Sequence, residues 1–169
     1  LSEIRPLTRK RDPDAFLPVL QKSCAECGVA VAVVRAPQGC RASGATRFTG
    51  RAKALLQLSF RYLTDDHFWF TFFHEAAHLL LHSHAALFLE GVAPSSTKEE
   101  EEANEFAAGI LIPKRYTNEL LALRADHHQI LRFAKKAGVS PGIVVGQLQH
   151  RKLIKQDHLN GLKRHFQWH

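Results

Sequence analysis

Phe70-Thr71-Phe72-Phe73-His74-Glu75-Ala76-Ala77-His78-Leu79-Leu80-Leu81-His82 contains H-E-x-x-H inside a nearly continuous apolar run. On an α-helix, residues four apart lie on one face, one turn above the other, so His74 and His78 are expected to project side by side. Two imidazoles so placed can hold one zinc ion. Glu75, on the same side, can take a proton from a metal-bound water. The flanks are apolar all round, which predicts a helix buried in a core. Upstream, Thr64, Asp65 and Asp66 are residues of the kind that cap a helix and fill its first turn.

In a chain of this composition H-E-x-x-H arises by chance about 0.04 times. Two packed histidines with other partners remain the competing reading, so a third ligand has to decide. Thr97 to Ile112 reads as the helix that would supply it. Thr97 and Glu100 form a capping box at its start, and Pro113 ends it. Its apolar face is Ala103, Phe106, Ala107, Ile110 and Leu111. At 100° per residue, Glu99 and Glu100 lie roughly 50° from the centre of that face, Glu101 roughly 150° and Glu102 roughly 110°. Either Glu99 or Glu100 can therefore look toward a metal held by the first helix. Glu101 and Glu102 are expected only to complement the helix dipole. A His₂Glu set with one open position is the pattern of a catalytic zinc, and Mn²⁺ or Fe²⁺ also accept it.

The motifs resemble those of the ImmA/IrrE family of metallopeptidases. The resemblance rests on Phe72-Phe73-His74-Glu75-Ala76-Ala77-His78, then Glu100-Glu101-Glu102-Ala103-Asn104-Glu105-Phe106-Ala107-Ala108, then Leu111-Ile112-Pro113. The family carries E-x-x-x-N-x-x-A before a terminal L-[ILM]-P, with its third ligand four residues before the Asn. That position is Glu100 here. Ser43-Gly44-Ala45-Thr46-Arg47, Gln57-Leu58-Ser59, Asp65 to Phe70 and Leu159 to Arg164 are similar to the branch fused behind a HigA-like, XRE-type helix-turn-helix domain. The resemblance implies a zincin-like peptidase that cleaves or inactivates a transcriptional repressor or antitoxin-type regulator. It also implies a DNA-binding domain upstream of this chain, in keeping with a start on Leu1 and no Met.

The expected architecture is α+β: a small three-stranded sheet, the H-E-x-x-H helix, the glutamate helix and a helical C-terminal part. Asp12-Pro13 opens a first helix that Gly28 stops. Val29 to Val34, Ser43 to Phe48 and Ala54 to Phe60 read as strands, with a turn at 36–39. Ala54 to Phe60 is the candidate edge on which an extended peptide would pair. The stretch between His82 and Lys98 reads as a loop, most mobile over 91–97. Residues 1–125 are taken as the peptidase core. Residues 126–169 are taken as a helical part of the same compact unit, in which Ala134 to Val145 has a helix-turn-helix outline. The apolar start of its second helix suits packing better than base reading. An oxyanion stabiliser is needed, and Arg47, Tyr116 and His128 are the candidates.

The chain has 169 residues, 45% hydrophobic content and a net charge of +7. That is one domain with material for a core. No stretch reads as a membrane span or signal peptide, and three Cys give no disulfide framework, so a cytoplasmic protein is expected. Cys24 and Cys27 lack a second pair for a metal site and read as helix-packing residues. Basic residues near both ends imply weak, non-specific nucleic-acid contact at most. His82, His84, His127, His128, His150 and His158 are expected at the surface. The alternative to a peptidase is a metal-stabilised regulatory binding module of a repressor or antitoxin. The intact Glu75 argues against a dead site, though not against a silent one.

Overall fold

In the computed structural model the motif stretch is the α-helix α2, Asp65–Leu81, and the other elements pack around it. The structure describes residues 1–35, 39, 42–59, 61–82, 88–89 and 97–167. Most of the expected turn at 36–39, the expected loop at 91–97 except for the backbone of Thr97, His84 and Phe60 lie outside these. On α2, Trp69, Phe72 and Phe73 are buried. The ring of Phe16, from helix α1 (Pro13–Ala25), lies 5.5 Å from Phe68 and 5.0 Å from Trp69. As the sequence predicts, Asp12 caps α1, accepting from the Asp14 amide at 3.0 Å. Gly28 adopts φ +80° beyond its end, where a Cβ would fall 2.3 Å from the Ala52 carbonyl oxygen.

Among the described residues the sheet has four strands rather than three. They are β1 (Val29–Val33), β2 (Gly44–Gly50), β3 (Lys53–Leu58) and β4 (Phe88–Leu89), in the order β1-β3-β2-β4. β1 runs parallel to β3; β2 is antiparallel to both β3 and β4. The expectation that Ala54 to Phe60 forms an edge is therefore corrected. β3 is paired on both sides, with its Ala54, Leu56 and Leu58 side chains in the core. The edge strands are β1 and β4, and β4 arises inside the stretch that reads as loop.

The glutamate helix is α3, Thr97–Leu111, and it packs against α2. Beyond it lie a 3-10 turn (Lys114–Tyr116), α4 (Thr117–Leu121), α5 (His127–Ala137) and α6 (Pro141–His150). Local chemistry sets the α5–α6 corner. Asp126 caps α5, Gly138 leaves it in the left-handed region at φ 76°, and Ser140 caps α6 with Pro141 at its first position. α6 is buried along most of its length and packs on α2, so it is no exposed reading helix. A Cβ on Gly142 would fall 2.2 Å from Asp65 Oδ1, and one on Gly146 would fall 2.7 Å from Asp66 Oδ2. Glycine at these two positions lets α6 approach the start of α2.

That start is anchored in an unexpected way. Thr64 is the N-cap residue but its side chain makes no capping hydrogen bond. The Asp65 carboxylate instead accepts from Ser140 Oγ at 2.6 Å and from the Arg164 amide at 2.9 Å. The Lys163 ammonium lies 2.7 Å from Asp66 Oδ2, with both side chains nearly buried. Arg164 reaches the carbonyls of Thr8, Arg9 and Lys10, and Phe166 enters the core beside Phe16. The C-terminal tail thus ties the N-terminal segment, α6 and α2 together. Cys24 is a core residue, in keeping with the packing reading, whereas Cys27 lies beyond the end of α1 and is exposed, so that reading is corrected for it. Among the described residues no helix is long and apolar enough to cross a membrane.

Candidate active site

α2 places His74 and His78 on one face, both buried, and α3 brings Glu100 to them. His74 Nε2 and His78 Nε2 are 3.0 Å apart. Glu100 Oε2 is 3.3 Å from His74 Nε2, and Oε1 is 3.4 Å from His78 Nε2. The corners of a tetrahedron around zinc, with bonds of about 2.0–2.1 Å, are about 3.3 Å apart, so this donor set matches a tetrahedral metal. Of the two glutamates left open by helix periodicity, Glu100 is the one grouped with the histidines. The capping box expected between Thr97 and Glu100 lies outside the described residues, since the Thr97 side chain is not among them.

The outer ring nitrogens have partners of their own. His74 Nδ1 is 3.0 Å from Asn104 Oδ1. His78 Nδ1 is 2.8 Å from His82 Nδ1, and His82 Nε2 is 3.3 Å from Glu102 Oε2. Since Asn104 Oδ1 can only accept, His74 carries its proton on Nδ1 and directs the Nε2 lone pair inward. In the same way a proton on His78 Nδ1 is received by His82, whose own proton goes to Glu102. Burial, and then the neighbouring His74, push the His78 imidazole down to about 4 against the opposing pull of Glu100. His78 is thus neutral at neutral pH.

His82 and Glu102 are the residues that sequence reasoning misplaced. The His82 side chain is 4% exposed, not a surface group. Each four-residue step rotates a helix position by 40°, so His82 has drifted too far for the metal position but remains in reach of His78. Glu102 does more than balance a dipole: it meets His82 and, at 3.7 Å, Lys98. Glu75 is fully buried against the start of β2. A Cβ on Gly44 would lie 2.7 Å from both Glu75 Cγ and Oε1, so the absence of a side chain at Gly44 is what admits the carboxylate.

Of the three oxyanion candidates, His128 is not grouped with these residues. Arg47 is exposed, and strand alternation puts it on the face of β2 opposite Gly44. The Tyr116 hydroxyl donates to the Lys136 carbonyl at 3.2 Å. His128 is exposed at the start of α5, its ring 5.7 Å from that of His127. His150, expected as a plain surface residue, is exposed and lines a cavity of about 320 Å³ whose walls include Asp66, His67 and Phe70 of α2.

The family model for the IrrE N-terminal-like domain, peptidase family M78, matches residues 29–149. No curated protein matched the chain. The matched region runs from β1 almost to the end of α6 and takes in both histidines, Glu75, Glu100 and Asn104, and on this match the chain belongs to the IrrE N-terminal-like family of M78 metallopeptidases.

Proposed function

We propose that the chain is a zinc-dependent metallo-endopeptidase, with His74, His78 and Glu100 as metal ligands and Glu75 as general base. The observation that carries this reading is the convergence of two imidazole lone pairs and a carboxylate within 4.8 Å of one another. Three electron-rich groups in a largely buried place repel unless a cation sits among them. A divalent cation there supplies Lewis acidity, which activates water and polarises a peptide carbonyl; zinc suits two imidazoles and a carboxylate best, and Mn²⁺ or Fe²⁺ are tolerated by the same donors.

The residues do the rest. Asn104 and the His82–Glu102 pair fix the ring orientation and tautomer of the two histidines. Glu75 takes a proton from the attacking water and returns it to the leaving amine. Its burial against Gly44 holds it in one position. The sheet edge beyond β2, on the Glu75 side, is β4, and an extended substrate pairs there rather than on β3. The substrate is a protein, and the family resemblance favours a DNA-binding repressor or antitoxin-type regulator.

The test pairs metal analysis with turnover. Wild type should hold one zinc per chain, Glu100→Gln should lose it, and Glu99→Gln should keep it. Glu75→Gln should keep zinc and fold while cleavage of a co-expressed regulator falls about 10²–10⁴-fold. Zinc retained in Glu100→Gln would remove the ligand set. Equal regulatory activity in wild type and Glu75→Gln would turn the reading toward a metal-stabilised binding module.

A further inference from the structure

The two edges of the sheet differ. β4 is two residues long, whereas β1, Val29-Ala30-Val31-Ala32-Val33, offers five. In a parallel pair every second residue bonds to the neighbouring strand, and the others point their amides and carbonyls away from it. The Val34 amide donates to the Leu58 carbonyl at 2.8 Å, and the Ala54 amide donates to the Gly28 carbonyl at 3.0 Å. Even-numbered positions therefore face β3, and the amides and carbonyls of Val29, Val31 and Val33 face outward. Among the described residues one hydrogen bond reaches that outer row: Gln21 on α1 donates from Nε2 to the Val31 carbonyl at 3.1 Å. The strand has none of the devices that keep an edge from pairing: no charged residue, no proline and no bulge.

We propose that β1 is a dimerisation edge, on which a second copy of this chain adds its own β1 antiparallel about a two-fold axis at Val31. The symmetry of the strand selects that occupant. Val-Ala-Val-Ala-Val reads the same in both directions. An antiparallel copy centred on Val31 sets Val31 against Val31, Val29 against Val33 and Ala30 against Ala32. The valine positions are the ones whose amides and carbonyls face outward, so each valine pair exchanges both of its hydrogen bonds. The valines share the face toward the core, where Val31 is buried and Val29 and Val33 are half-buried, and β-branched pairs across the axis cover them further. Ala30 and Ala32 lie on the other face, exposed and half-buried, and are too small to block an approaching strand. The inference stands apart from the metallopeptidase reading and needs no metal.

Gln21 guards the edge. It competes with the second copy for the Val31 carbonyl, and from its exposed place on α1 its side chain can turn into solvent when the copy arrives. The exchange replaces a side-chain hydrogen bond by a backbone one, so the net gain is small. Paired strands of five residues bury less than the roughly 800 Å² per partner of a standard interface. The dimer is therefore expected to be weak, with a Kd of about 1–100 µM.

Sedimentation equilibrium of the full chain, from about 1 to about 500 µM, tests this. Wild type should pass from monomer to dimer across that range, and a wild type still monomeric at its top would overturn the proposal. Ala30→Lys with Ala32→Lys sets like charges against each other across the axis and should weaken the dimer about tenfold. Ala30→Lys with Ala32→Glu sets unlike charges against each other in that register and should restore it. A dimer indifferent to the double lysine change would run through another surface and overturn the edge. A charge pair as weak as the double lysine change would overturn the two-fold register. Circular dichroism verifies that both variants keep the fold. Gln21→Ala leaves the strand untouched and frees the Val31 carbonyl, so it should tighten the dimer about threefold or more. A dimer no tighter than that of wild type would overturn the role of Gln21.

Discussion

Replacing His82 by leucine isolates the hydrogen bonds behind the metal ligands. With His78 Nε2 turned to the metal, its proton must sit on Nδ1, 2.8 Å from His82 Nδ1. The His78 side chain is 1% exposed, so no water replaces a lost acceptor. In the metal-free protein the histidine can escape by shifting its proton to Nε2; in the loaded protein it cannot, so the penalty falls on the loaded form. An unmet buried donor costs about 1–3 kcal/mol, and 1.4 kcal/mol is about tenfold in affinity. Zinc affinity of His82→Leu should therefore fall about 10–100-fold, the range usual for loss of a partner behind a metal ligand. His82→Asn puts an acceptor oxygen where Nδ1 stood and should recover most of that loss. Competition with a chromophoric chelator at fixed pH measures all three, and circular dichroism of the metal-free proteins verifies the fold. An affinity within about threefold of wild type in His82→Leu would refute the role. So would His82→Asn as weak as His82→Leu, because volume and not hydrogen bonding would then be the cause.

Three further outcomes are expected. Gly44→Ala brings a Cβ within 2.7 Å of Glu75; it should keep zinc but lose about 10²–10⁴-fold in cleavage rate, and full activity with bound zinc would refute the close approach as a functional constraint. Burial holds the Asp65 carboxyl above the usual aspartate range, against the hydrogen bonds from Ser140 and Arg164. Between about pH 4, where a free aspartate ionises, and that raised value, the folded chain keeps a proton that the unfolded chain has released. The Asp65 contribution to stability therefore falls as pH rises through this window. Denaturant unfolding of wild type and Asp65→Asn across it should show wild type losing ground to the mutant, and parallel curves would count against the shift. Because α6 is buried on α2, DNA binding by this chain should be weak, steeply salt-dependent and without preference between unrelated duplexes of equal length; a tenfold preference would show that these residues read bases.

What was legible in the sequence was local. His74 and His78 declare themselves by helical spacing, and the apolar run around them has no other use than a core. Asp126, Gly138 and Ser140-Pro141 are stop and start signals that act within a few residues, and α5 and α6 begin and end where those signals stand. Periodicity on α3 excluded Glu101 and Glu102 as ligands but could not separate Glu99 from Glu100, since both flank the apolar face equally. The family resemblance pointed to Glu100, and the docking of α3 on α2 groups that residue with the histidines. Strand order is of the same kind. Alternation in Lys53–Leu58 shows that one face is buried, which holds for a central strand and for an edge; parallel pairing with β1, across the intervening β2, is a long-range event with no local mark.

Asp65 and Asp66 show where the two scales meet. Locally they are first-turn acids that suit a helix N-terminus, and that alone would explain them. In the fold, one receives the serine that caps α6 and the amide of Arg164, and the other pairs with Lys163. Gly142 and Gly146 are bare because these carboxylates occupy the space a side chain would fill. Each pairing joins residues 75 or more positions apart, so neither partner reveals the other in a sequence window. Both acids sit on the helix that, two and three turns later, carries His74 and His78. The sequence features that looked least like chemistry, a basic tail and a glycine-bearing helix, thus fix the start of the helix on which His74 and His78 stand.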